Sequence, residues 1–384
     1  MTQLINGNQV TLLCNGADYF PALLTEIRAS QHEVYLQTYI FELDETGLQV
    51  GKALMQAAKR KVSVFLLLDG FGCRNLSKIY IEALKKSGVQ VLFFRPKISP
   101  WTLKRSRLRR LHSKLVVIDG LNGFVGGINI IDDFNTPSHV APRIDYAVKV
   151  QGPLLTEMHA TAKRIWRNVC LRQFVHIPTN DLAIKRHPKQ AGEMQATFLI
   201  RDNVQHRRDI ENAYLSAMDK AQSEIIIANA YFLPGLRFRH ALRDAAKRGV
   251  RVVLLLQKRS EYRLLDFATR ALYSALLQQG VHIYEYHKSF MHSKVAVFDD
   301  RLAIVGSSNI DPFSLFLSLE SNIAISNHTF AKALKQDLKM TIEAGATMVT
   351  LDDWHQNHLV NRLLSWLAYA SVKVMTGIIG YREK

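Results

Sequence analysis

The stretch Phe290–Asp311, FMHSKVAVFDDRLAIVGSSNID, is the part of the chain around which the rest is organised. It contains the spacing H-x-K-x4-D followed by G-S-x-N, and polar and apolar residues alternate along its first half. The polar members of the motif are His292, Lys294, Asp299, Ser307 and Asn309. Alternation of this kind predicts a strand, so an imidazole and an ammonium two residues apart are expected on one face of a sheet.

An earlier segment, Leu111–Ile130, repeats the motif as LHSKLVVIDGLNGFVGGINI. The members of this copy are His112, Lys114, Asp119, Gly127 and Asn129. A single copy could be a half-buried strand histidine beside a surface lysine. Two copies, each followed at the same interval by G-x-x-N, are not expected by chance and predict two related half-sites.

The residue types of the motif suit a phosphate. A glycine turn lets an Asn side chain and backbone N–H groups approach an anion closely. If the halves pack face to face about a pseudo-twofold axis, both contribute to one cleft. The groups expected to neutralise the non-bridging oxygens of a phosphodiester there are Lys114, Lys294, Asn129, Asn309 and Ser307. The first copy has Gly127 in place of Ser307, so it lacks one phosphate-binding hydroxyl, and the half-sites are not expected to be equivalent.

Two histidines on opposite sides of phosphorus could carry out two in-line displacements. One imidazole attacks phosphorus and gives a phosphohistidine, while the other protonates the departing alcohol and then deprotonates the incoming alcohol or water. His112 and His292 are the candidates, in an order that the residues alone leave open.

Four carboxylates complete the candidate site. Asp145 and Glu320 lie in apolar, strand-like segments shortly after each motif, and we expect them to orient the histidines, as the acid of a catalytic triad does. The alternative is a structural carboxylate at a strand end. Asp119 and Asp299 lie seven residues after their histidines and therefore on the opposite face of a regular strand. We expect these two to fix turns and the interface between the repeats.

No metal or other cofactor is predicted. The histidines are not paired at ligand spacings such as H-E-x-x-H, and the two motif lysines already supply the positive charge that a metal would otherwise provide.

The repeat extends beyond the motif. EVYLQTYIF at Glu33 matches EIIIANAYF at Glu224, and AAKRKVSVFLLLD at Ala57 matches AAKRGVRVVLLLQ at Ala245. The continuous apolar run of VSVFLLLD is typical of a strand buried on both faces. We predict an α/β unit at residues 1–175, a linker at 176–195, a second unit at 196–350 and an apolar tail at 351–384.

The net charge of +17 predicts an anionic partner such as a membrane surface, a nucleic acid or an anionic small molecule. The three cysteines are widely spaced and suit a reducing compartment, and the first residues do not have the pattern of a signal peptide. We therefore expect a cytoplasmic chain.

Two segments are candidates for contact with a membrane. The basic Lys97–Arg110 loop could grip an anionic surface, with Trp101 as an interfacial anchor; the alternative is a solvated loop. The tail Leu359–Tyr381 is marginal as a spanning helix and fits an amphipathic helix in the plane of the membrane, with a buried packing helix as the alternative. Its apolar face is predicted to contain Leu363, Leu367, Ala370, Val374, Ile378 and Tyr381.

At these residues the chain resembles the phospholipase D superfamily, and within it the bacterial cardiolipin synthases, over roughly residues 10–345. The segment IIIANAYFLPGLRFRHAL and the paired motifs carry the resemblance. It implies an α/β fold of two repeated α/β/α units with mixed sheets, packed about a pseudo-twofold axis, with one metal-independent site. It also implies His112 as nucleophile and His292 as general acid and base.

The implied function is transfer of a phosphatidyl group between two phosphatidylglycerol molecules, giving cardiolipin and glycerol, by a peripheral protein on the cytoplasmic side of the cell membrane. The implied partners are phosphatidylglycerol and other anionic phospholipids, without nucleic acid. The alternatives are a phospholipase D or transphosphatidylase with another donor or acceptor, a nuclease of the same superfamily, and a non-catalytic membrane-binding module.

Overall fold

A computed structural model of the chain describes residues 3–96, 108–176, 188–356 and 359–378. The strands in these ranges are β1 (Ile5–Cys14), β2 (Glu33–Thr38), β3 (Ser63–Asp69), β4 (Gln90–Phe94), β5 (Leu115–Ile118), β6 (Asn122–Gly126), β7 (Arg143–Ile144), β8 (Tyr146–Gln151), β9 (Met194–Arg201), β10 (Glu224–Asn229), β11 (Arg251–Gln257), β12 (His282–Tyr286), β13 (Phe290–Met291), β14 (Lys294–Phe298), β15 (Leu302–Gly306), β16 (Glu320–Ser326) and β17 (Ala346–Val349).

The helices of the described residues are α1 (Asn15–Ala29), α2 (Glu45–Lys59), α3 (Lys78–Lys86), α4 (Leu155–Gln173), α5 (Asp209–Lys220), α6 (Leu236–Lys247), α7 (Arg263–Arg270), α8 (Tyr273–Gln278), α9 (Pro312–Phe316), α10 (His328–Gly345), α11 (Leu351–Gln356) and α12 (Leu359–Ile378). The helix α4 and the strand β9 lie on either side of the predicted linker, of which residues 177–187 are outside the described ranges. Residues 97–107 of the predicted basic loop are also outside them.

One 15-stranded sheet runs through both halves in the order β17-β12-β11-β10-β14-β15-β16-β9-β1-β8-β6-β5-β2-β3-β4. The order is symmetric about the antiparallel pair β1 and β9. Moving outward from this pair, the strands β9, β16, β15, β14, β10, β11 and β12 correspond in position to β1, β8, β6, β5, β2, β3 and β4. Within each half three neighbouring strands are parallel, β2, β3 and β4 in the first and β10, β11 and β12 in the second. The other pairs of this sheet are antiparallel, including that of the edge strand β17 with β12. This arrangement confirms the predicted α/β fold of two repeated units with mixed sheets.

Helices cover both faces of the sheet, which gives the α/β/α layering. On one face a single apolar core extends across both halves and includes Trp166 of α4 and Leu334 of α10. On the other face each half has its own core, with α1 and α2 in the first half and α5 and α6 in the second. The continuous core beneath both halves holds them at a fixed distance, and the functional site lies where they meet.

The helix α12 packs against α7 and presents its polar and small residues to the protein. Its buried side chains are Ser365, Ala368, Val372 and Thr376. The described apolar side chains of the predicted apolar face point outward, as in an amphipathic helix in the plane of a membrane, with Leu363 61%, Leu367 55% and Val374 62% exposed. The side chains of Ile378 and Tyr381 lie outside the described residues. No helix in the described part of the chain has the length and the apolar character that crossing a membrane requires.

Candidate active site

The first copy of the motif is fixed to the second half of the protein by its backbone. The N–H groups of His112 and Ser113 both donate to the carbonyl of Leu319, at 3.0 and 2.7 Å, and the N–H of Leu319 donates to the carbonyl of Arg110 at 2.8 Å. The position of His112 is therefore set by the residue that immediately precedes β16.

The imidazole of His112 binds the first residue of β16. Its Nδ1 lies 3.0 Å from Oε1 and 3.1 Å from Oε2 of Glu320. The carboxylate of Glu320 also accepts a hydrogen bond of 2.5 Å from the hydroxyl of Ser307. The side chain of Glu320 is fully inaccessible, whereas that of His112 is 13% exposed, so the ring is held from inside and remains reachable from outside.

The second copy has the reciprocal arrangement. The strands β13 and β7 form a short parallel pair, and the N–H of His292 donates to the carbonyl of Ile144 at 2.7 Å. Nδ1 of His292 lies 2.7 Å from Oδ2 of Asp145, which belongs to the first half. Both predicted carboxylates thus contact a motif histidine, and each contacts the histidine of the opposite half.

The two motif lysines are buried and bind close to their own histidines. Nζ of Lys114 donates to the carbonyl of His112 at 2.7 Å and lies 5.5 Å from the centroid of the Tyr39 ring. Nζ of Lys294 donates to the carbonyl of His292 and lies 3.5 Å from Oδ2 of Asp145. The charge of Lys294 also acts on His112 and Lys114, so the two motif copies form one electrostatic cluster.

Nδ1 of His292 lies 2.7 Å from Nζ of Lys294 as well as 2.7 Å from Asp145. A ring nitrogen carries either a proton or a lone pair in the plane of the ring. It therefore cannot donate to the carboxylate and accept from the ammonium at the same time. Since Lys294 has other acceptors in the His292 carbonyl and Asp145, we assign the Nδ1 proton to the bond with Asp145.

Burial lowers the pKa of both lysines, of Lys114 to about 7 and of Lys294 to about 8, although the nearby carboxylates oppose the change. Burial, assisted by the charge of Lys294, lowers the pKa of His292 to about 3. Burial also lowers the pKa of His112, against the opposing effect of Glu320. Both imidazoles are therefore neutral near pH 7 in the absence of a bound anion.

Asp145 is ionised despite its burial. Burial works to raise its pKa, but the charge of Lys294 and the hydrogen bond from His292 lower it overall. The resulting pair of a carboxylate and a neutral imidazole has the charge distribution of the acid and base in a catalytic triad.

The predicted phosphate-binding groups occupy different environments. Oδ1 of Asn129 accepts the N–H of Ile40 at 3.1 Å, whereas the buried Oδ1 of Asn309 has no hydrogen-bond partner among the described residues. The hydroxyl of Ser307 is engaged with Glu320. A side chain on Gly127 would place its Cβ 2.1 Å from Oδ1 of Asp145, so this glycine is required by the close approach of the carboxylate.

The last acidic residue of each motif lies at a hairpin turn. Asp119 has φ 52° and Asp299 has φ 51°, in the turns that follow β5 and β14. The carboxylate of Asp119 accepts the N–H groups of residues 31–33, and that of Asp299 accepts those of residues 222–224. Each carboxylate thus ties the hairpin turn to the start of β2 or β10 within its own half, rather than forming an interface between the repeats.

Sequence reasoning did not identify three residues beside the histidines. The ring centroids of Tyr39 and His112 are 5.0 Å apart, and those of Tyr231 and His292 are 6.3 Å apart. The buried carboxylate of Asp69 accepts the N–H of Leu111 at 2.7 Å. Each of these residues follows or ends a buried strand that is repeated in both halves, which is the signal that could have indicated them.

The geometry permits phosphoryl chemistry by two imidazoles. The hydrogen bonds of both rings to carboxylates use Nδ1, so Nε2 is left for a substrate in each case. The lysines donate to the carbonyls of their own histidines and supply positive charge beside the rings. Within the described ranges, no group of His, Cys, Asp or Glu side chains has an arrangement that could hold a metal ion.

Comparison with known proteins identifies the family. The family model described as "Cardiolipin synthase, PLD-like domain" matches residues 23–166 and 214–342. Cardiolipin synthase B of Salmonella typhi is 37% identical over 385 residues, covering 98% of this chain and 90% of the relative. The corresponding protein of Escherichia coli (strain K12) is 35% identical over 390 residues, with the same coverage.

Structural comparison agrees at the level of the fold. The crystal structure of phosphatidylserine synthase from Haemophilus influenzae Rd KW20 matches with a TM-score of 0.70 and 14% sequence identity, covering 98% of this chain and 96% of that protein. Together with the duplicated family model, the sequence relatives show that the chain belongs to the cardiolipin synthase family of phospholipase D-like phosphatidyltransferases.

Proposed function

We propose that this protein transfers a phosphatidyl group from one phosphatidylglycerol molecule to the glycerol hydroxyl of a second, giving cardiolipin and free glycerol. The observation that carries the proposal is the pair of histidines whose Nδ1 atoms bind carboxylates of the opposite half. Both Nε2 atoms are then available to one phosphodiester. The names of the relatives, cardiolipin synthase B, support the choice of lipid.

In the first step Nε2 of His112 attacks phosphorus, and the bond from phosphorus to the glycerol oxygen of the donor breaks. His292 gives its proton to that oxygen, and glycerol leaves. In the second step neutral His292 takes the proton of the acceptor hydroxyl, whose oxygen attacks phosphorus and releases His112. This order follows the family resemblance, and the pseudo-symmetry of the site allows the reverse.

The protonation states required for the first step depend on the substrate. Burial keeps both imidazoles neutral in the free protein, as the attacking histidine requires. A phosphodiester anion bound between them favours the charged form of an imidazole and so raises its pKa. The substrate therefore helps to generate the general acid that its own cleavage needs, while Lys114 and Lys294 neutralise its non-bridging oxygens.

We further propose that the protein acts peripherally at the cytoplasmic face of the cell membrane, with anionic phospholipids as partners. The net charge of +17 favours an anionic surface. The exposed apolar side chains of α12 fit the interface between headgroups and acyl chains. The Lys97–Arg110 loop stays a prediction for the same role, since residues 97–107 lie outside the described ranges.

The test of the proposed reaction is lipid analysis after incubation of the purified protein with phosphatidylglycerol in mixed micelles containing a metal chelator. We expect cardiolipin and glycerol in equal amounts. His112→Ala and His292→Ala should each lower turnover at least about 10²-fold, since a positioned acid and base is typically worth 10²–10⁴ in rate. The control, His240→Ala, removes an exposed histidine of α6 and should retain full activity.

Release of phosphatidic acid without cardiolipin would indicate a phospholipase instead, and unchanged turnover in either alanine variant of a motif histidine would exclude the two-histidine mechanism. Mass spectrometry of the unmutated protein, quenched during turnover, should detect a phosphatidyl group on His112, because His292 is then present to protonate the departing glycerol. Detection of that group on His292 instead would reverse the order of the two roles.

The carboxylates that bind the histidines should act through them. We expect Glu320→Gln and Asp145→Asn to lower kcat by about 10²–10⁴-fold with little change in KM, because the comparable Asp→Asn change in a Ser-His-Asp triad costs about 10⁴ through the wrong tautomer. Steady-state kinetics on the micelle substrate measures both constants. Glu82→Gln, at an exposed ion pair on α3, is the matched control. Equal loss in the control, or a change confined to KM, would contradict an orienting role.

The buried lysines predict the alkaline limb of the pH profile. A lysine is cationic below its pKa, and the pKa values are about 7 for Lys114 and about 8 for Lys294. We therefore expect kcat/KM to fall as the pH rises through 7 to 8, because the phosphate loses its neutralising charges. Lys114→Arg keeps its charge throughout this range and should move the fall to higher pH. A kcat/KM that is constant from pH 7 to 9 would refute this assignment.

The outer face of α12 should contribute to membrane binding. Replacement of Leu363 and Leu367 together by Ser should weaken binding to phosphatidylglycerol vesicles at least tenfold, since burying one such side chain contributes roughly 1.5–3 kcal/mol. Vesicle flotation measures the bound fraction. A matched control replaces Leu48 and Leu121, which are exposed at 47% and 42% in the first half, by Ser. Equal binding by the two double variants would exclude this face as the contact.

A further inference from the structure

A basic cavity lies between the halves, next to β16, the strand whose first residue binds His112. Its volume is about 270 Å³, and Ser113 and Glu320 form part of its wall. Five guanidinium groups line it, from Arg95, Arg109, Arg164, Arg172 and Arg201. We call this cavity the arginine pocket. The first half contributes the residue after β4, a residue three positions before His112 and two residues of α4, and the second half contributes the last residue of β9.

The carboxylates of the arginine pocket are already engaged. Among its described lining residues these are Asp202 and Glu320. Oδ1 of Asp202 accepts three backbone N–H groups of residues 204–206, and its Oδ2 accepts Arg164 at 3.3 Å. Glu320 binds His112 and Ser307 and is inaccessible. The arginine pocket therefore has three more positive than negative charges among these residues.

The guanidinium groups also act on one another. Burial lowers the pKa of Arg95, and the charges of Arg109 and Arg172 lower it further, which is the sign of mutual repulsion. Arg201 donates to two neutral carbonyls, those of Ser318 and Phe316. A guanidinium does not lose its proton in proteins, so this repulsion is relieved by an anion rather than by deprotonation.

The size and the walls of the arginine pocket indicate which anion it suits. Its volume is slightly below the range of about 300–1,000 Å³ typical of pockets for drug-sized ligands, so a small headgroup fits better than an acyl chain. Apolar side chains such as Ile165, Val169 and Ile200 share the rest of the wall with uncharged polar ones such as Asn168 and Asn203. Arginine binds phosphate through paired N–H groups.

We propose that the arginine pocket binds a phosphate group, presented either by the headgroup of an anionic phospholipid or as a free phosphate. The binding itself does not depend on catalysis. Its functional meaning rests on the proposed function: a synthase that joins two phosphatidylglycerol molecules handles a second phosphate, which is not attacked, and Glu320, which binds His112, forms part of the wall of the arginine pocket.

The experiment measures binding without turnover, in the full-length chain carrying His112→Ala and His292→Ala. Isothermal titration calorimetry with inorganic phosphate is compared with flotation on vesicles containing phosphatidylglycerol. In this background Arg95→Gln with Arg172→Gln removes two cations of the arginine pocket. Arg237→Gln with Arg243→Gln removes two exposed cations of α6 and is the matched control. Because Arg172 is exposed near the end of α4, Arg172→Gln alone serves if the double variant fails to fold.

We expect the arginine-pocket variant to weaken the binding of one probe at least tenfold, and the control to leave it within twofold. Weaker binding of inorganic phosphate with unchanged flotation identifies free phosphate as the ligand. Weaker flotation, with no binding of inorganic phosphate detected by calorimetry, identifies the lipid headgroup as the ligand. Unchanged binding of both probes, or equal losses in the variant and its control, would overturn the proposal. Since no step requires turnover, that result leaves the proposed reaction untouched.

Discussion

The reciprocal exchange of carboxylates between the two halves is the interaction on which the site depends. Glu320 of the second half binds His112 of the first, and Asp145 of the first half binds His292 of the second. Neither half alone contains an oriented histidine. The antiparallel pair β1 and β9, the short pair β7 and β13, and the core shared beneath both halves therefore fix the geometry of the site as much as they stabilise the fold. Removing one partner leaves the other buried without its hydrogen bond, which typically costs about 1–3 kcal/mol and more for a charged group.

The two half-sites are not equivalent, and one substitution between the repeats accounts for much of the difference. Gly127 leaves space for the carboxylate of Asp145, which can then reach both His292 and Lys294. At the equivalent position Ser307 has a side chain, and its hydroxyl holds Glu320 instead. The direct carboxylate contact opposes the lowering of the Lys294 pKa by burial. The same arrangement places the charge of Lys294 next to His292, and this charge lowers the pKa of His292.

The sequence was sufficient to predict the repeat, the strands that carry the motif and the motif histidines and lysines that the structure brings together, because these depend on local spacing. The residues Tyr39, Tyr231 and Asp69 beside them were not predicted. The alternation around His292 and Lys294 is visible within five residues. The apolar run before Asp69 indicates a buried strand without any knowledge of the strands that pair with it. The crossed contacts could not be predicted, because they join residues 208 and 147 positions apart through the register of strands in different halves. The sequence suggested a phosphate-binding role for Ser307 but not its contact with Glu320, because that contact depends on the register of the neighbouring strands β15 and β16.

The helix α12 has the apolar period that the sequence predicts, and its apolar stripe lies on the outside of the protein rather than against the core. An apolar stripe usually packs inward because its burial contributes about 25 cal/mol per Å². Here the inward stripe includes Ser365 and Thr376, whose hydroxyls donate to the carbonyls of Asn361 and Val372 within the same helix, so their burial leaves no unsatisfied donor. The fold therefore does not use the outward stripe of Leu363 and Leu367 for its own stability. An apolar surface that costs free energy in water and contributes nothing to the core becomes favourable only against another apolar phase, which a lipid-modifying protein meets at the membrane.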